Sequence, residues 1–147
     1  MRSSRRKAKS TITEYRIPEM PRDPSAADHS PKILVVEDEA LIALETLGHL
    51  EEWGYRIAGT AGTAKGALDL ALAQGPDLAL VDINLRHGDD GISVAQMLKD
   101  RFGAGIVFVT GFSDEGTKSR MATVGPIACL FKPYEPRALR EILSAAA

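Results

Sequence analysis

One cysteine in 147 residues, Cys129, leaves no partner for an internal disulfide and excludes a cysteine-only metal cage, which fits a reducing compartment. No uninterrupted apolar run approaches the roughly 18 to 20 residues that span a bilayer, so membrane insertion is not expected. The first thirty residues also lack the apolar core of a secretory signal. Neither sign of charge dominates, with 18 Lys and Arg against 20 Asp and Glu. The expected compartment is the cytoplasm.

What is present suits one domain: the length is ordinary, and 44% apolar residues are enough for one core. The charge is unevenly spread. Residues 1–31 hold seven Lys/Arg against four Asp/Glu, whereas 32–147 hold eleven against sixteen, so an arm of +3 precedes a body of −5. The arm contains "RSSRRKAKS", then Pro18, Pro21, Pro24 and Pro31, and shows no sustained apolar period. It reads as a disordered, solvated tail. Its five basic residues within the first nine have no interleaved aromatics, so nucleic acid is not the expected partner.

From Lys32 onward, short apolar runs alternate with helical patterns. Strands are predicted at 33–36, 55–59, 78–81, 106–109 and 128–131. Leu41, Leu44, Leu47, Leu50 and Trp53 recur at helical spacing before Gly54; Ala64, Ala67, Leu68 and Ala71 mark a second helix, and Ile92, Ala95, Met97 and Leu98 a third. The fourth, within "SDEGTKSRMATVGP", offers only Met121, Ala122 and Val124 as an apolar patch among poor helix formers, which predicts a short or fraying segment. Parallel crossovers need a helix-sized connection, so five strand–helix units imply a doubly wound five-stranded parallel sheet in a three-layer α/β/α sandwich.

Polar residues stand where the strands stop. Glu37, Asp38 and Glu39 follow the first, Asp82 the third, Thr110 the fourth and Lys132 the fifth, at intervals of 44, 28 and 22 residues from Asp38 onward. All should emerge at the carboxyl ends of the strands, where open α/β sheets bind ligands. Adjacent carboxylates repel by roughly a kcal/mol or more per pair near a surface. Glu37 and Asp38 beside Asp82 would therefore favour a hard divalent cation, with Mg²⁺ the usual choice for few carboxylates and several waters. Glu39 suits the start of the first helix. With a metal neutralising an incoming phosphoryl group, Asp82 can act as nucleophile, Lys132 supplies a second positive charge and Thr110 a hydroxyl. Gly111 leaves room beside Thr110. Cys129, in an apolar strand, is expected to be inert packing. His29, His49 and His87 show no ligand-like grouping, and only His87 lies in the loop after Asp82.

Four motifs, "ILVVEDEALIAL", "LALVDINLRHGDDG", "VFVTGF" and "CLFKPY", resemble in order and spacing the signatures of bacterial response-regulator receiver domains over about residues 32–144. The resemblance implies a flavodoxin-like, CheY-like fold with strand order 2-1-3-4-5. It implies that Asp82 accepts phosphate from a sensor histidine kinase or histidine phosphotransfer protein. Mg²⁺ or Mn²⁺ would be held by Asp38 and Asp82 directly, by Glu37 through water and by the backbone carbonyl of Asn84. A cis bond is expected before Pro133. Three departures stand out. Cys129 occupies the position where many receivers carry an aromatic switch residue; Arg86 stands where a proline is common; and "FVTGF" resembles a branch with an F-x-T-G-aromatic motif, in which Phe112 would be the moving aromatic.

The chain ends with "PRALREILSAAA", so the expectation is a stand-alone receiver, monomeric or weakly dimeric, that signals through noncovalent partners. An aspartyl-nucleophile phosphatase would need a second acid two residues beyond Asp82. An amide, Asn84, stands there and cannot protonate a leaving group. A pseudo-receiver docking scaffold without turnover is the other alternative, although no member of the acceptor set is missing.

Overall fold

Five apolar runs become the strands β1 (Lys32–Val36), β2 (Arg56–Ala61), β3 (Leu78–Asp82), β4 (Gly105–Thr110) and β5 (Ala128–Phe131) of a single sheet. The computed structural model describes residues 30–85, 88–111 and 114–146. Expectations for residues 1–29 of the arm, and for Arg86, His87 and Phe112, therefore lie outside the described residues. All four strand pairs are parallel, and the order is β2-β1-β3-β4-β5, as expected. β2 starts one residue later than predicted and runs on to Ala61.

The connecting helices are α1 (Ala40–Glu52), α2 (Ala64–Gln74), α3 (Gly91–Phe102), α4 (Glu115–Val124) and α5 (Pro136–Ala146). Side chains alternate across a strand. Leu34 and Val36 accordingly join one core, with Ala67, Ala71, Ile92, Leu98, Met121 and Val124 from α2, α3 and α4. Ile33 and Val35 face the other core, with Leu50, Leu139 and Leu143 from α1 and α5. Every residue of β3 is buried, which is why the central strand reads as an unbroken apolar run up to Asp82.

Two helix readings need correction. On α1 the buried residues are Ala43, Thr46 and Leu50, whereas Leu41 and Leu44 are 82% and 64% exposed. Steps of three residues advance about 300°, so a row of five at that spacing winds around the helix instead of lining one face. In α4, only Met121 and Val124 are buried and Ala122 is exposed. The segment is nevertheless a continuous helix of ten residues, the shortest of the five. Its ends compensate for its interior: the Thr117 N–H donates to Asp114 Oδ1 at 2.8 Å, and Gly125 adopts the left-handed conformation that closes a helix.

Candidate functional site at the carboxyl edge of the sheet

Glu37 continues directly from β1, and its N–H still pairs with the Ala61 carbonyl at 2.8 Å. That pairing holds the side chain inside the rim, 7% exposed, where its carboxylate accepts the Glu39 N–H at 3.1 Å. Asp82 is the last residue of β3 and 6% exposed; its Oδ1 accepts the Asn84 N–H at 2.9 Å. Lys132 follows β5, and its backbone N–H donates to the Thr110 carbonyl at 2.8 Å. This bond aims the side chain back over the rim, where Nζ lies 3.1 Å from Asp82 Oδ2 and 3.5 Å from Glu37 Oε1. The Lys132–Pro133 peptide is cis, as expected.

One ammonium thus serves two buried carboxylates. Burial, reinforced by repulsion from Asp82, raises the pKa of Glu37 even though the Glu39 N–H and Lys132 act to lower it. For Lys132 partial burial works against the charge, but attraction to Asp82 and then to Glu37 prevails and holds its pKa above the ordinary lysine value. The arrangement carries excess negative charge and is suited to receive a further cation.

The expected residues are placed as follows. Glu37, Asp82 and Lys132 meet directly. Thr110 is fully buried at the end of β4, one residue beyond the partner of Asp82 in the register, Val109. Asp38 is half-buried next to Glu37 and backed by Gly62, where an added Cβ would lie 3.1 Å from the Asp38 Cα and Cβ. Asn84 is exposed, with its N–H turned to Asp82. Gly111 is exposed, and an added Cβ there would meet nothing within 4 Å, so packing among the described residues does not demand glycine. Cys129 pairs with Phe108 and packs partly buried against the core, and burial raises its thiol pKa. Among the described residues, no three His, Cys, Asp or Glu side chains are grouped to hold a metal. The donors at this rim fit Mg²⁺ in its usual mode, with one or two carboxylates, a backbone carbonyl and water.

Three supporting features had no signal strong enough to find. Tyr134 and Thr46, the buried polar residue of α1, line one cavity together with Lys132. Thr46 is the one threonine of α1, and Tyr134 closes the motif "CLFKPY" with no chemical role of its own to single it out. Asp90 caps α3 through the Ile92 N–H at 3.0 Å and pairs with Arg120 of α4. Gly91 lies so close to β3 that a Cβ there would sit 2.2 Å from the Asp82 carbonyl oxygen.

A parallel sheet of this order, with acids and a lysine converging at its carboxyl rim, defines a CheY-like α/β signalling module. The chain belongs to the response regulator receiver domain family, whose model matches residues 33–144. It is similar to the transcriptional regulatory protein PdtaR of Mycobacterium tuberculosis, 37% identical over 103 residues that cover 70% of this chain and 50% of that protein. It also resembles the phyllosphere-induced regulator PhyR of Methylorubrum extorquens, 30% identical over 82% of this chain and 45% of the relative. The chain thus spans about half the length of these curated relatives. Among solved structures, the signal receiver domain of a modulated diguanylate cyclase from Desulfovibrio desulfuricans superposes with a TM-score of 0.74 at 33% identity, over 80% of this chain and 93% of that one. The receiver domain of PhyR from Erythrobacter litoralis gives a TM-score of 0.69 at 30% identity, covering 80% and 89%. No helix among the described residues is long and apolar enough to cross a membrane.

Proposed function

We propose that Asp82 is the phosphoacceptor of this receiver and takes a phosphoryl group from a phosphohistidine on a sensor histidine kinase or a histidine phosphotransfer protein. A carboxylate oxygen of Asp82 forms the new P–O bond as the P–N bond to the donor breaks, and the electron pair leaves with the imidazole. Asp38 and Asp82 would hold Mg²⁺ or Mn²⁺ directly, Glu37 through water, and Asn84 through its backbone carbonyl. When bound, the metal supplies charge neutralisation at the transferring phosphoryl oxygens. Lys132 neutralises the same oxygens from the other side, and the Thr110 hydroxyl donates a hydrogen bond to one of them.

The observation that carries this reading is the position of Lys132 Nζ, 3.1 Å from Asp82 and 3.5 Å from Glu37. A solvated surface lysine would not be held between two buried acids. The protein catalyses its own phosphorylation and dephosphorylation and otherwise acts by binding. Its output passes through noncovalent contacts in the cytoplasm, with α4, β5 and α5 as the face that changes. The phosphoryl group adds roughly 1.5 to 2 negative charges next to Lys132.

The test is intact-mass measurement after incubation with Mg²⁺ and either a small acyl phosphate or a phosphorylated histidine kinase. One phosphoryl mass should be gained by the protein and be absent from Asp82→Asn. No gain from any competent donor would leave only a docking role.

A further inference from the structure

α4 has little apolar surface to hold it, since Met121 and Val124 are its buried residues. Polar fastenings to α3 do the rest. Lys99 of α3 donates to the Val124 carbonyl and, at 3.3 Å, to that of Gly125, securing the last turn of α4. In the middle of the helix Arg120 pairs with Asp90 at the start of α3.

Asp90 is not an ordinary surface acid. Its Oδ1 caps the Ile92 N–H at 3.0 Å, its Oδ2 accepts the Ser93 hydroxyl at 3.0 Å, and the Arg120 guanidinium takes the same oxygen. Its backbone forms an antiparallel bridge with Asn84. The next residue, Gly91, donates to the Ile83 carbonyl at 3.3 Å and leaves no room for a side chain against the Asp82 carbonyl. Asp90 and Gly91 therefore brace the backbone that carries Asp82 and Asn84. Arg120 reaches that brace from α4.

We propose that Arg120, acting through Asp90, is a positioning residue that couples the seating of α4 to the Asp82–Asn84 loop. The inference rests on the phosphoacceptor reading of Asp82 and concerns the regulation of that site. With Arg120 in place the loop is held in the form that presents the Asn84 carbonyl. Binding at the loop, by thermodynamic reciprocity, must then tighten α4. The pair is largely solvent-exposed, so the effect is modest, roughly two- to fivefold in affinity.

Full-length protein carrying Arg120→Ala, Arg120→Gln, Asp90→Ser, or Arg120→Ala with Asp90→Ser should be titrated calorimetrically with Mg²⁺. Serine preserves a capping oxygen for Ile92 and removes the ion pair. Each single variant should weaken Mg²⁺ about two- to fivefold, and the double variant should be no weaker than the weaker single one. In parallel, amide exchange across 115–124 should slow when Mg²⁺ and the acyl-phosphate mimic beryllofluoride are added to the unaltered chain, and respond less in Arg120→Ala. Unchanged Mg²⁺ affinity in the single variants, strictly additive losses, or an α4 indifferent to ligand in the unaltered protein would overturn the coupling alone. Failure of the unaltered chain to bind Mg²⁺ at all would overturn the phosphoacceptor reading and the coupling with it.

Discussion

At the level of single residues, the site is built against local stability. Glu37 is a buried carboxylate whose pKa is raised by desolvation and by Asp82, so the folded state binds its proton more tightly than the unfolded chain does. Its ionised form therefore costs stability. The cost is absent below the ordinary glutamate pKa, grows as pH rises through the window up to the raised value, and is complete above it. Glu37→Gln should be more stable than the parent at pH 7 without divalent metal, and the two should converge near pH 4. Urea midpoints at both pH values in the presence of a chelator check this; an equal gap at both would mean that charge is not the cause. Gly91 shows the opposite economy, where one missing methyl sets the geometry. Because a Cβ there would lie 2.2 Å from the Asp82 carbonyl oxygen, Gly91→Ala must displace either β3 or the first turn of α3. The expected loss is about 1–3 kcal/mol in chemical denaturation, as for other overpacked sites. Asp90 has a pKa below the ordinary value despite the opposing effect of desolvation, because Arg120, Ser93 and the Ile92 N–H all stabilise its charge. The support it gives is present at neutral pH and fades only in acid, as pH falls through its lowered pKa.

At the level of elements, the strands were legible because four of them are continuous apolar runs, three of which, β1, β3 and β4, are packed on both faces, and the rim was legible because the chemical residues come at the ends of these runs. Helix faces were less so. The row from Leu41 to Trp53 obeyed a spacing of three, but burial follows Ala43, Thr46 and Leu50, and the small and polar members of that set carry no hydrophobic signal. The clamps around α4 were hidden for a different reason. Arg120 and Asp90 lie 30 residues apart, and each alone reads as a solvated surface charge. Poor intrinsic propensity in Glu115–Val124 remains a physical fact even though caps and clamps complete the helix. Amide protons of 117–124 should therefore exchange faster than those of the central turns of α1 under identical conditions. Equal protection would show that the Asp114 cap, the Lys99 contacts and the Arg120 pair fully replace a core-facing stripe.

At the level of the whole molecule, two cores on opposite faces of one sheet fix the distances at its rim, so the two acids and the ammonium are brought together by strand order and not by any local sequence. Pairing β3 between β1 and β4 places Asp82 between Glu37 and Thr110, and the turn after β5 brings Lys132 over both acids. A cation held at such a preassembled site would bind only the folded chain, and so would stabilise the fold. At ten times its dissociation constant Mg²⁺ adds about 1.4 kcal/mol, or about 4–6 °C in melting temperature for a domain of this size. Residues 32–147 carry sixteen acidic against eleven basic side chains, so general screening of an acidic surface could also raise the melting temperature. The two causes separate by mutation. A gain that is saturable and lost in both Asp38→Asn and Asp82→Asn locates the ion at the rim. A gain that persists equally in both variants, and is matched by sodium at the same ionic strength, places it on the surface at large and removes the metal from the site.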